Sequence, residues 1–510
     1  MTEHVGGDDM RIKVDTLATE LEKLMSDTVS MAPQHSPCIF GVPNILSRHK
    51  PEAYAPYAFS FGPFHYTKSH LQATQKIKLR YLHELTSRFP DPKRKLMELT
   101  TALIEVQNEA RECYEGSIDT NMDELVKVLV LDGCFLIELF CKWRYFNLTG
   151  KDDPIFGVNC MTTLLYHDLI LLENQIPWLV LDCDNQAQIS LDPKPIRTKA
   201  QNWLDEAAEI AKCTQEQPEN AARETVEANE GNRLNNTARE KRARAQPRWM
   251  KDFVIAETHC LFHETMAPLV NLPLNILVTS YFKGIISRGV DLHEDDYKCE
   301  NKHILDLLRN SLVFPSSIAK QERSLNCSTD NWQLMPPATT LQEAGIKFKK
   351  ATSGTFSSIL DIKFNKGVIE IPSLFIGDCT ESLFRNLICF EQCLPNCGEV
   401  ISSYMALLNY LDSTAHDTEI FIKSGIIENW VDIDDATIFF NQIFNDSTIF
   451  HFYYLDLVWE VNKYCERSWP RYRRVLMHNY FKHPWALISV VVAAILLILS
   501  FLQTLFTIIK

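Results

Sequence analysis

Glycine is scarce in this chain, with 17 residues in 510, about half its usual share. So few turn formers argue against a many-stranded β fold and favour long helices. The loops that cradle phosphate are missing too: there is no GxxxxGK followed by Ser or Thr, no GxGxxG after a strand, no GxSxG elbow and no kinase motif set. An excess of positive charge is absent, since the net charge is -14. Outside one stretch near the C-terminus no basic face carries spaced aromatics, which excludes nucleic acid as an expected partner. The 15 cysteines are odd in number and irregularly spaced, and Cys134 and Cys141 sit inside an apolar run. That pattern reads as reduced, core-forming thiols and not as a disulfide framework. Residues 1–9 are polar and acidic, with no basic n-region before an apolar h-region, so nothing there reads as a signal peptide. The sequons at Asn147, Asn235, Asn326 and Asn445 would matter only if the body were lumenal.

What the chain does have is an uncharged apolar run over residues 485–509, with Lys510 beyond it. At about 1.5 Å per helical residue such a run is long enough for a bilayer core of about 30 Å, and it predicts a single transmembrane helix. Its expected anchor face is Trp485, Leu487, Ile488, Val491, Ile495, Leu499, Leu502 and Phe506. Before it stand Arg467, Arg471, Arg473, Arg474 and Lys482, interleaved with Trp469, Tyr472, Tyr480 and Phe481. A basic collar and aromatic belt on one side predict a tail anchor in the plasma membrane, lipid as a partner, and a body facing the cytosol.

The rest of the chain divides by pattern. Residues 1–37 hold a leader with a short amphipathic helix, whose stripe is Ile12, Leu17, Leu21 and Leu24. Residues 38–212 form a first helical part. It opens on a segment in which Pro43, Pro51, Pro56 and Pro63 forbid a continuous helix while its aromatics demand burial. Helical patterns follow at 71–89 and 93–113, at 125–140, which is apolar nearly all round, and at 162–176. Residues 213–248 have almost nothing apolar and read as a disordered linker. Residues 249–466 form a second helical part, with helices expected at 249–287, 303–313, 382–394, 400–412, 437–445 and 453–469. Within it Leu360, Ile362 and Phe364 alternate with polar residues before Asn365-Lys366-Gly367, predicting a β-hairpin near 358–372, with 341–349 as a third strand. Residues 467–484 are the collar. The expected class is therefore mainly α with a small β-hairpin or sheet (α+β), a large helical body plus one C-terminal transmembrane helix.

Candidate chemistry is sparse. His259 and His263 are an i, i+4 pair able in principle to hold zinc, but the order HCLFHE lacks the glutamate of HExxH. Cys389, Cys393 and Cys397 recur every four residues, a spacing that matches no standard zinc or iron-sulfur arrangement. His167, Asp168, Glu173, Asn174 and Gln175, with Asp132 and Glu138, lie in apolar surroundings where carboxylates can acquire raised pKa values or cap backbone. No nucleophile with its base and oxyanion donors is legible. No catalytic residue, metal or cofactor is expected.

Several segments together resemble the plant family called domain of unknown function 247, whose members include UPF0481-like plant membrane proteins. They are Val42-Pro43, Pro51 to Pro56, Ser60 to His65, Asp132 to Phe135, Leu172-Glu173-Asn174-Gln175-Ile176-Pro177, Ala338 to Phe348, Leu360 to Phe364, Ile369 to Pro372, Thr380 to Cys393, Gly425 to Trp430 and Pro484-Trp485-Ala486. The resemblance implies a plant source and membrane location but no established reaction. Some grass members look like pollen-side determinants of self-incompatibility, with small secreted proteins as partners. The expectation is thus a non-enzymatic, membrane-anchored recognition or signalling protein. The alternatives are a cytosol-facing enzyme of unfamiliar type, using His259 and His263 or the Asp168 and Glu173 region, and a structural membrane tether.

Overall fold

The structure, a computed structural model, describes residues 13–25, 36–181, 301–318, 334–351, 358–476 and 484–509, apart from a few positions within those ranges. The fold is mainly helical with two small sheets. At its centre is the helix that the apolar pattern predicts. It runs from Met122 to Arg144, and Asn121 starts it by accepting the Glu124 N–H at 2.9 Å. With Asp123 and Glu124 in its first turn complementing the helix dipole, it buries Leu125, Leu129, Phe135, Leu136, Leu139 and Phe140 around most of its circumference. Against it pack Gln75–Thr86 and Pro92–Glu105. The second of these opens on an Asp91 side chain that accepts from Arg94 N, with Pro92 at the first helical position.

In chain order the main helices are α1 (Gln75–Thr86), α2 (Pro92–Glu105), α3 (Gln107–Glu112), α4 (Met122–Arg144), α5 (Asn159–Leu169), α6 (Ile304–Val313), α7 (Ala338–Glu343), α8 (Thr380–Cys393), α9 (Val400–Leu411), α10 (Ala415–Lys423), α11 (Ile433–Gln442), α12 (Leu455–Cys465), α13 (Ser468–Leu476) and α14 (Pro484–Ile509). The strands are β1 (Lys347–Lys350), β2 (Lys363–Asn365), β3 (Val368–Ile371), β4 (Leu374–Ile376) and β5 (Ile427–Asn429). β2 and β3 form the expected hairpin, pairing Phe364 with Ile369. Its turn places Lys366 at φ 47° and Gly367 at φ 83°, the left-handed pair that a tight hairpin of native twist requires. β1 joins β3 in parallel, and β4 pairs β5 in parallel as a separate ribbon.

One hydrophobic cluster runs from Phe40 to Cys465 and takes in residues from both sides of the segment 182–300. Polar bonds tie the two sides as well: Trp178 N–H donates to Lys302 O at 2.7 Å, and Gln175 Oε1 accepts from Leu305 N at 3.1 Å. The linker at 213–248 and the helix expected at 249–287 lie outside the described residues. Residues 13–23 are helical, and Val14, Leu17 and Leu21 on them are exposed.

The membrane expectation is corrected here. α14 is helical from Pro484 to Ile509, yet among the described residues no helix is long and apolar enough to cross a membrane. A transmembrane helix in the fold class, a single-pass anchor, a plasma-membrane location and a lipid partner are therefore carried no further. Of the expected anchor face, Ile488, Val491, Ile495, Leu499 and Leu502 are exposed, while the side chains of Trp485, Leu487 and Phe506 fall outside the described set.

Candidate functional site

The segment from Tyr54 to Gly62 has few regular backbone bonds of its own, because Pro56 breaks any helix and no strand lies beside it. Its buried N–H groups therefore need side-chain partners, and an unpaired one costs about 1–3 kcal/mol. Three residues supply them. Asp168 accepts from Tyr57 N at 2.7 Å and from Ala58 N and Phe59 N at 2.8 and 2.7 Å. Asn174 accepts from Phe61 N at 2.7 Å and donates to Phe59 O and Asp168 O. Asp132 accepts from Gly62 N at 2.9 Å and from Lys78 Nζ at 2.5 Å, while the same ammonium donates to Ser60 O.

The Asp168 carboxylate stands in the last turn of α5, where the helix dipole disfavours a negative charge. Three aligned N–H donors offset that cost. The Phe59 N–H on Asp168 and the Phe61 N–H on Asn174 explain why both residues can be fully buried against Phe135, with ring centroids 5.8 and 5.9 Å away. Gly62, at φ 70°, completes the clamp: a Cβ there would lie 2.5 Å from Gln175 O and 2.8 Å from Tyr114 Oη.

Electrostatics follow from burial. Asp132 and Lys78 are both buried, which pushes the carboxyl up and the ammonium down, and their mutual contact pulls each back toward its charged form. Burial also works against ionisation of Glu173. The adjacent His65 and the Val42 N–H, 2.7 Å away, outweigh it and hold that carboxyl below its ordinary range. His65 Nε2 sits 3.1 Å from Glu173 Oε2, but neither of its ring nitrogens makes an aligned hydrogen bond. Glu138 belongs to a different cluster, with Arg88 and Lys142, and burial pushes it up to about 7.

One constellation has the connectivity of a hydrolytic relay. Ser382 Oγ, in the first turn of α8, lies 3.2 Å from His167 Nε2, and His167 Nδ1 lies 3.1 Å from Asp168 Oδ1. With Asp168 as acceptor, Nδ1 carries the proton and Nε2 is left to accept from the serine, the order in which a catalytic triad works. Two features weigh against turnover. All three residues are buried, and the Tyr57 ring stacks flat on the imidazole at 3.9 Å. The surface concavity lined by His416, Glu419, Asp432 and Asp434 shares no residue with the relay.

His167, Asp168, Asn174, Gln175 and Asp132, singled out in the sequence, thus meet in one buried lattice, and Glu173 borders it. Ser382, Lys78 and Asn386 also belong to it. Asn386 accepts from Leu172 N and donates to Ala53 O and Ser382 O, riveting α8 to the Leu172–Pro177 motif. Lys78 gave no sequence signal, and Ser382 and Asn386 were marked only as members of the Thr380–Cys393 block, because a lysine, a serine and an asparagine on helices look the same whether buried or exposed. The Cys389 and Cys393 thiols touch each other, and among the described residues no group of three or more His, Cys, Asp or Glu could hold a metal ion. His259 and His263 lie outside the described residues, as does Lys482. Within the basic collar Arg473 is structural: it donates to Gln342 O at 2.6 Å and Glu343 O at 2.8 Å, the end carbonyls of α7.

The clamp is built from the Pro51–His65 and Leu172–Pro177 blocks, which are segments of the resemblance. A family model described as plant protein of unknown function, DUF247, matches residues 39–499. The chain belongs to the DUF247 family. Among curated DUF247-like relatives, the UPF0481 protein At3g47200 of Arabidopsis thaliana is 24% identical over 496 residues, covering 93% of this chain and 86% of its own length. The UPF0481 protein At3g02645 of the same plant is 21% identical over 523 residues, covering 96% of this chain and 92% of its own. No solved structure matches this DUF247 chain.

Proposed function

We propose that this DUF247 protein is a non-enzymatic recognition protein whose activity is to bind another protein. The observation that supports this most is the use of the buried polar motif residues. Asp168, Asn174 and Asp132 are committed to backbone N–H groups, so these motif residues hold the shape of the Tyr57–Gly62 segment. By contrast, large aromatics are left in solvent near the C-terminal helices: Trp459, Trp469 and Tyr472 are each at least 60% exposed. Arg467 and Arg471 are exposed beside them. Trp, Tyr and Arg are the residue types that dominate protein-protein hot spots, and the arginines favour an acidic partner. Pollen-side self/non-self recognition of a small secreted protein, which the family resemblance implies, is the concrete form of this reading.

The test is binding of a candidate acidic partner protein to the full chain and to a Trp469→Ala, Tyr472→Ala, Arg471→Ala variant. Retention of the partner by the parent, weakening with salt, and at least tenfold loss in the variant with unchanged circular dichroism is the expected result. Equal binding by both chains would move the recognition surface elsewhere and remove the stated support.

A second reading is favoured by the Ser382–His167–Asp168 chain alone: acyl transfer, with Ser382 as nucleophile, His167 as base and Asp168 orienting it. Treatment of the full chain with a fluorophosphonate probe separates the two. Stoichiometric labelling lost in Ser382→Ala would establish the hydrolase reading; absence of labelling is expected here.

A further inference from the structure

Where the chain enters the described core, residues 38 and 39 run beside the end of α3. Cys38 N–H and Ile39 N–H both donate to Cys113 O at 2.9 Å, Glu115 N–H donates back to Ile39 O at 2.9 Å, and Ile39 bridges Tyr114 in parallel. The Cys38 and Cys113 side chains point at each other closely enough for their thiols to share a hydrogen bond. Both are thiols in this structure. Cys38 and Cys113 each stand one residue before the parallel bridge partners Ile39 and Tyr114, so they are neighbours across it, the placement that closing a disulfide requires. Cys38 is buried and Cys113 half-buried, in a small apolar cluster with Ile39, Tyr114, Phe64 and Ile118 that is separate from the main core.

We propose that Cys38 and Cys113 are a modification site, a dithiol that closes to a disulfide on meeting a small disulfide oxidant of the glutathione class. The reaction balances in two exchanges. Cys113, the more accessible sulfur, attacks glutathione disulfide as its thiolate; its S–H proton passes to water, the glutathione S–S bond breaks, and one glutathione leaves as thiolate. Cys38 then loses its proton and attacks the Cys113 sulfur, forming the protein S–S bond and expelling the second glutathione. The two cysteines together lose two electrons and two protons, and glutathione disulfide gains them to become two glutathione molecules.

The geometry distinguishes this pair from the other thiols in contact. Cys389 and Cys393 lie i, i+4 on α8, where parallel Cβ directions and the intact helical ladder oppose closure. Cys38 and Cys113 come from separate chain segments that already meet. Burial beside Cys113 raises the Cys38 thiol well above its ordinary range, its contact with Cys113 contributing most. That makes it a poor first nucleophile and suits it to the second step, in which the attacked sulfur is already in contact. Closure would fix the entry segment to the end of α3, next to Tyr114, whose hydroxyl donates to Gln175 O at 3.1 Å inside the clamp.

The experiment uses the full chain, incubated with excess glutathione disulfide, quenched with an alkylating agent and digested without reduction. The expected result is a Cys38–Cys113 linked peptide that disappears on reduction, with Cys389 and Cys393 still alkylated. The urea midpoint should rise on oxidation in the parent and stay unmoved in Cys38→Ser, with Cys113→Ser as a second control should the first fail to fold. Full alkylation of both cysteines after oxidation, or a persistent glutathione adduct on Cys113 with Cys38 still a thiol, would overturn the proposal.

Discussion

Asp412 shows how burial alone sets the chemistry of a single residue. One carboxylate oxygen accepts from Thr418 Oγ1 at 2.6 Å and the other has no partner. Burial pushes this carboxyl up to about 7, Asp417 adds to the rise, and the Thr418 hydroxyl opposes it. An acid whose pKa is raised by folding stabilises the native state below its unfolded value near 4, and that stability is lost as pH climbs through 7. Asp412→Asn, a neutral mimic of the protonated acid, should therefore gain on the parent by roughly 2–4 kcal/mol between pH 4 and pH 8, read as urea-unfolding differences across that range. A constant difference would mean that Asp412 is ionised throughout. Gly62 makes the complementary case for space and backbone. With φ at 70° and Gln175 O 2.5 Å from an added Cβ, Gly62→Ala should cost roughly 2–4 kcal/mol in the same measurement.

At the level of elements, ends and turns explain most of the boundaries. α10 begins with a capping box, Thr414 and Asp417 satisfying each other's backbone N–H groups. α9 begins on Glu391, which accepts Ser402 N at 2.8 Å and pairs with Arg309 at 3.1 Å. Arg473 plays the matching part at the C-terminal end of α7, so Arg473→Ala should loosen the packing of α13 on α7. Faster amide exchange over residues 338–343, with the β2–β3 hairpin unaffected, is the expected outcome; unchanged exchange there would leave the arginine without a structural role. The hairpin was legible because Asn365-Lys366-Gly367 names its turn, and α4 because in its long apolar run Lys127 faces solvent while Asp132 and Glu138 find buried partners. The helix expected over 162–176 stops instead at Leu169, since Gln175 Nε2 takes the carbonyls of Leu169 and Leu171 and Asn174 takes that of Asp168. Those partners become visible only once the chain has turned. β4 and β5 were hidden for a different reason: three residues each, they have no period to read, and Leu374 pairs with Ile427, 53 positions on.

For the whole molecule, the polar motif is a fastening between distant parts of the chain. Asp168 reaches back more than a hundred residues to the Tyr57–Phe59 backbone, Asn386 back to both Leu172 and Ala53, and His303 Nε2 lies 3.0 Å from Cys38 O. Sequence could flag Asp168, Asn174 and Asp132 as polar residues in apolar surroundings. It could not say whether they faced a substrate or a backbone, because the groups that decide this lie about 70 to 115 positions away. The terminal apolar run drew the opposite error: its composition suggested a membrane crossing that no helix among the described residues is long and apolar enough to make.

The Asp168 carboxylate holds structure, since three successive backbone N–H groups depend on it. Asp168→Asn keeps the shape but removes the charge and turns one acceptor into a donor facing backbone N–H groups, so its urea midpoint is the most direct measure. The expected result is a loss of roughly 2–4 kcal/mol relative to the parent. A midpoint equal to the parent's would show that Asp168 does not hold this segment, because a buried carboxylate accepting three backbone N–H groups cannot be replaced without cost.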